Sequence, residues 1–143
     1  MKTIQRSALV MHSASAMYDL VNDVAAYPQF LPWCVGAEIL GQGDGWMEAR
    51  IDVSKGGMTQ KFVTHNCQEV GRTISMQLIE GPFTALSGVW CFKPLMDNAC
   101  KVVLNLTFDI NNVLLKSTVG QMLDKVANLV MDAFCRRADV VYK

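Results

Sequence analysis

The closing helix of this chain constrains its fold more than any other segment. Asn111 or Asn112 offers an N-cap, and the helical pattern continues to about Tyr142. Roughly 30 residues at 1.5 Å each give a rod of ~45 Å. Leu115, Val119, Met122, Val126, Leu129 and Ala133 fall within one narrow arc, which Leu123 and Val130 widen. Gln121, Asp124, Lys125, Asn128, Asp132 and Asp139 take the opposite side. Gly120 flanks the stripe, where it costs about 1 kcal/mol relative to Ala and permits a bend or a close approach. A helix as long as a domain is wide buries such a stripe only by lying across a sheet.

The residues before it supply that sheet. Residues 3–11 read as a first strand, and Ser13 is the expected N-cap of a helix over 14–25 whose apolar face is Met17, Leu20, Val21 and Val24. Strand patterns follow at 36–41, 46–54, 58–67, 73–79, 86–92 and 101–110. In the second of these, Met47, Ala49, Ile51 and Val53 share one face and Glu48, Arg50 and Asp52 the other. Gly41–Gly45, Gly56-Gly57 and Gly71-Arg72 mark turns, while Glu80-Gly81-Pro82-Phe83 breaks the sheet pattern. Short turns between consecutive strands predict an antiparallel meander. The expected class is therefore α+β: a curved antiparallel sheet of about six or seven strands gripping the C-terminal helix, in one domain spanning 1–143.

Between the first helix and the first of these strands lies Tyr27-Pro28-Gln29-Phe30-Leu31-Pro32-Trp33-Cys34. Two prolines stiffen a segment rich in large apolar side chains. Either these side chains plug the end of the core or they rim a pocket for an apolar ligand. On the second reading Tyr27, Phe30, Leu31 and Trp33 meet Pro82 and Phe83 at one opening, with Trp90, Met122 and Val126 as cavity wall. The residues alone leave both readings open.

Composition narrows the function classes. Hydrophobic residues make up 51% of 143, with no apolar run long enough to span a bilayer and no apolar block at the N-terminus; a cytoplasmic location is the expectation. Lys+Arg and Asp+Glu are each 13, so no basic excess announces nucleic-acid binding, although a local patch at Arg136, Arg137 and Lys143 is compatible with neutrality. The same three cations also suit the negative end of the helix. Five widely spaced cysteines without C-x-x-C, and two histidines far apart, predict reduced thiols and no metal site. Neither a G-x-S-x-G elbow nor a phosphate-binding glycine loop is present; Gly41–Gly45 reads as a hairpin turn. Glu48, Arg50 and Asp52 read as a solvated face, or, if that face lined a cavity, Arg50 as a polar anchor for a carbonyl or phosphate.

Leu20-Val21-Asn22-Asp23-Val24, Tyr27-Pro28-Gln29-Phe30-Leu31-Pro32, Asp52-Val53-Ser54-Lys55, Glu80-Gly81-Pro82-Phe83, Gly88-Val89-Trp90-Cys91-Phe92 and Asn128–Phe134 occur in an order that resembles the bacterial coenzyme Q-binding START-domain family. That family belongs to the START/Bet v 1-like helix-grip superfamily and includes ribosome association toxins of toxin–antitoxin systems. The resemblance spans nearly the whole chain. It implies non-enzymatic binding of an apolar isoprenoid lipid, ubiquinone first, in a cavity between sheet and helix in support of respiration, with transient contact to a membrane surface. Its alternative implication is binding of the large ribosomal subunit and a block of subunit joining, for which Arg136, Arg137 and Lys143 are the candidate contacts. A polyketide cyclase or dehydratase on the same fold is a third reading, with Glu48, Arg50, Asp52 and His65 as its only candidates. No cofactor is required by the first two, and oligomeric state is left open.

Overall fold

The computed structural model describes residues 2–55, 57–81, 83–109 and 113–142, apart from the side chains of Lys55, Met58, residues 113–120 and Met122. The chain runs β1 (Lys2–Val10), α1 (Ala14–Asn22), a 3-10 helix (Val24–Gln29), β2 (Cys34–Gly43), β3 (Trp46–Lys55), β4 (Met58–Glu69), β5 (Thr73–Glu80), β6 (Ala85–Met96), β7 (Ala99–Asp109) and α2 (Val113–Val141). One antiparallel sheet contains all seven strands in the order β1-β7-β6-β5-β4-β3-β2. Every neighbouring pair except β1–β7 is consecutive in sequence, so the meander expected from the turns is what forms. β1 closes it by pairing with β7, from Lys2↔Phe108 to Val10↔Cys100.

Local chemistry explains the boundaries. Ser13 has extended backbone, and its hydroxyl accepts from the Ala16 amide at 3.1 Å, satisfying one of the orphan donors of α1. α1 buries Ala14, Met17, Tyr18, Leu20 and Val21. It stops at Asn22, earlier than the pattern predicts, and the chain tightens into a 3-10 turn that holds Pro28. The φ fixed by proline suits that geometry, so the segment before Phe30 is coiled rather than extended. Gly45 and Gly71 turn two of the hairpins at φ +74° each, a region costly for a side chain.

The sheet wraps its concave face around the helices. Met47, Ala49, Ile74, Trp90, Phe92, Val102 and Leu104 from its strands pack with Met17, Val21 and Leu31 in the main core. Gly88 belongs to the same face: a Cβ there would approach Met76 Cε to 2.8 Å and Leu106 Cδ2 to 2.9 Å. Glu48, Arg50 and Asp52 alternate onto the outer face.

α2 buries a different face from the one expected. Ala127, Met131, Phe134 and Ala138 are 0–5% exposed, flanked by half-buried Leu123 and Val130, whereas Leu129 is 56% exposed. At 3.6 residues per turn the buried face lies roughly a third of a turn from the arc of large aliphatic residues. Ala127 packs with Ile4 and Phe108 of the sheet, while Phe134 and Ala138 enter the main core. Val126 is only half-buried, and the side chains of Leu115, Val119 and Met122 lie outside the described residues, as do Asn111 and Asn112. The polar flank is fastened to β1, where Arg6 donates to Asp124 at 2.9 Å and to Asn128 at 2.5 Å.

Candidate functional site

The proline-bracketed segment divides its side chains between core and surface. Tyr27 and Leu31 are buried. The Tyr27 hydroxyl donates to the Val21 carbonyl at the end of α1, and its ring meets Phe134 edge-on at 5.4 Å. Burial, with Cys34 and Asp23 nearby, pushes the Tyr27 phenol well above its ordinary value. Trp90 approaches the same Phe134 ring at 5.5 Å and stacks on Phe92 at 6.3 Å. Tyr27 and Leu31 therefore plug the core, and Trp90, expected as cavity wall, is buried beside them.

Phe30 and Trp33 remain half-buried and form one wall of a groove of about 360 Å³ with Pro32. The opposite wall is Leu129, Ala133 and Val140 of α2, the arc that the sheet leaves uncovered. Leu129 and Val140 are 56% and 60% exposed. Asp132, Arg136 and Arg137 add charge to the lining. Arg137 stands over the Phe30 ring at 5.2 Å and donates from Nη2 to Gln29 Oε1 at 3.0 Å, while its Nε is buried without a hydrogen-bond partner. Arg136 is exposed, and neither it nor Asp132 takes part in an ion pair among the described residues. Aromatic rings, aliphatic surface and guanidinium groups thus converge here.

Other expected site residues lie elsewhere. Phe83 packs on Phe108 at 6.0 Å and Phe62 at 6.2 Å, in a second cluster with Ile4, Leu123 and Ala127. Phe30 contacts Phe134, two turns further along α2, so Phe83 does not share an opening with Phe30 and Trp33. Pro82 and Lys143 lie outside the described residues. Arg50 belongs to the solvated outer face: it donates to Glu38 at 2.8 Å and lies 3.2 Å from Asp52, and the bond to Glu38 is foremost in raising its already high pKa. Its guanidinium is committed to these carboxylates and is no cavity anchor. His65 lies on that face as well, stacked on Trp46 and 3.3 Å from Glu48. Cys67 lies in a strand yet is exposed, whereas Cys34 and Cys100 are buried and their thiols pushed up by that burial.

One polar group that the sequence pattern did not single out is Asn66. It pairs with Met47 and Met76 in the ladder, on the concave side, and is 4% exposed with its Oδ1 unpartnered. No group of His, Cys, Asp and Glu suited to a metal ion occurs among the described residues, and no helix there is long and apolar enough to cross a membrane.

Comparisons with known proteins bear on this geometry. A family model described as polyketide cyclase/dehydrase and lipid transport matches residues 10–135. The ribosome association toxin RatA of Pseudomonas aeruginosa is 48% identical over 139 residues, covering 97% of this chain and 96% of that one. The mitochondrial coenzyme Q-binding protein COQ10 homolog B of Xenopus laevis is 24% identical over 140 residues, covering 95% of this chain and 57% of that one. Among solved structures, the Zhui aromatase/cyclase from Streptomyces superposes with a TM-score of 0.90 at 17% identity, covering 99% of this chain and 96% of that one. A START superfamily protein from Mycobacterium smegmatis gives 0.87 at 22%, covering 97% and 98%. The fold is thus START/Bet v 1-like. One relative is named an association toxin and the other a coenzyme Q-binding protein, whereas a cyclase stands among the fold neighbours.

Proposed function

The chain belongs to the polyketide cyclase/dehydrase and lipid transport family, and from that premise we propose that it is a non-enzymatic ribosome association factor that binds the large ribosomal subunit and hinders subunit joining. The observation that carries this reading is the 48% identity to a ribosome association toxin over nearly the full length of both chains. The sequence favoured quinone binding over this alternative; the relatives reverse that order. Such a role places the chain in the cytoplasm.

The groove beside α2 is the surface best suited to the task. RNA-binding surfaces combine cations for phosphates with rings on which bases stack. Phe30, Trp33, Arg136 and Arg137 bring both within one concavity, so a formally neutral chain still offers a local cationic face. The reading is tested by sedimenting the purified chain with separated ribosomal subunits over a range of salt. Retention by large subunits, falling steeply with salt, is the expected result. A chain that stays at the top of the gradient at every salt concentration contradicts it.

A second reading, binding of an apolar ligand with a polar head such as a quinone, is favoured by Asn66. A buried amide oxygen left unpaired costs about 1–3 kcal/mol, which a water or a ligand head group would recover. Asn66 lies between two methionines on the concave face, where an isoprenoid body would be apolar-matched. Asn66→Leu is expected to stabilise the ligand-free chain and to weaken quinone or quinol binding in equilibrium dialysis. Undiminished, saturable binding by that variant removes Asn66 from the ligand site.

A further inference from the structure

The groove between the proline-bracketed segment and the uncovered face of α2 holds charges of both signs, which a plain basic patch does not need. We propose that it receives one unstacked guanine nucleotide of the large-subunit RNA: the base lies against Trp33, its donor edge meets Asp132, and its phosphate sits at Arg136 and Arg137. This rests on the ribosome reading and names the part of the partner held at that site.

Three observations favour that occupant. First, Trp33 lines the groove yet makes no ring contact with another aromatic side chain among the described residues, whereas Phe30 is already engaged by Phe134 and covered by Arg137. Trp33 is therefore the ring left for a base. Second, a groove of about 360 Å³ is small among ligand pockets; it suits a flat ring and its sugar phosphate better than a long isoprenoid tail. Third, Asp132 and Arg136 stand one helical turn apart without forming an ion pair with each other or with another described residue. A phosphate is repelled by Asp132 and drawn to the guanidinium groups of Arg136 and Arg137. That leaves Asp132 for the base edge.

An ionised carboxylate only accepts hydrogen bonds. Guanine is the base that offers two adjacent donors, N1–H and N2–H, to its two oxygens; adenine, cytosine and uracil each offer one donor group on that edge. A quinone offers acceptors alone and gives Asp132 nothing to bind. Pro28 and Pro32 stiffen the aromatic wall in advance, which lowers the ordering cost of binding.

The test uses the full chain, purified large subunits and kethoxal, which reacts with N1 and N2 of unpaired guanines. The wild-type chain is expected to co-sediment and to protect a large-subunit guanine. Trp33→Leu and Arg136→Ala should each weaken retention about tenfold, and Arg136→Ala should also lower the salt slope by about one. Asp132→Asn should restore kethoxal reactivity at the protected guanine. Asp132 and Arg136 are exposed, so these two variants keep the test decisive if Trp33→Leu fails to melt cooperatively. Retention of Trp33→Leu and Arg136→Ala at wild-type strength, undiminished protection by Asp132→Asn, or no protected guanine overturns the proposal while leaving the ribosome reading intact. Loss of binding in the variants without any RNA protection would put a ribosomal protein in the groove and equally overturns it. If the wild-type chain does not sediment with large subunits, the ribosome reading falls, and this proposal with it.

Discussion

Tyr27 shows how one side chain ties local geometry to stability. Its hydroxyl closes onto the Val21 carbonyl and its ring supports Phe134, so the connector, α1 and α2 meet at one residue. Tyr27→Phe keeps the ring and removes the hydrogen bond, with an expected cost of about 1 kcal/mol in a denaturant melt. Its phenol is held protonated in the folded state while the unfolded chain ionises near pH 10.0. The folded state then binds the extra proton, so stability is at its full value below pH 10.0 and falls as pH rises above it. Denaturation midpoints that do not decline in this alkaline range would contradict the burial of that phenol. The thiols provide a second check: Cys67 is exposed and Cys34 and Cys100 are buried, so limited alkylation read by peptide mass should label Cys67 well before the other two.

At the scale of elements, α2 separates what a pattern reveals from what packing decides. The helix, its length and its place across the sheet were legible because apolar residues recur at helical spacing over many turns. Its orientation about its own axis was not. Leu129 and Val126 attract attention as large aliphatic residues, yet the small Ala127 and Ala138 lie on the buried face with Met131 and Phe134. Phe134 is expected to cost about 3–5 kcal/mol on truncation to alanine, and Leu129→Ala at most about 0.5 kcal/mol, both read from urea midpoints. Equal losses would restore the face first expected from the sequence. The strands were easier: alternation in β3 placed Met47 and Ala49 inside and Arg50 outside. Sequence order could not say that Phe83 packs two turns of α2 away from Phe30, since both sit in proline-containing breaks of the same character. Nor does a single Asn in a strand pattern announce burial; Asn66 is found only by its register between Met47 and Met76.

For the whole molecule, the curved sheet fixes which faces remain available. One face of α2 is consumed by the core, its polar flank by Arg6, and the remaining arc stands beside Phe30 and Trp33. A family fold that elsewhere serves cyclases thus presents, in this chain, a compact aromatic and cationic groove on its exterior. On the ribosome reading proposed above, a ribosomal subunit is large enough to cover that arc. The most direct measurement is light scattering of separated small and large subunits mixed under joining conditions, with the purified chain added in increasing amounts. Joined ribosomes are expected to decrease in proportion to the chain bound to large subunits, and Arg136→Ala is expected to need several-fold more protein for the same effect. Full subunit joining at saturating chain would contradict the ribosome reading.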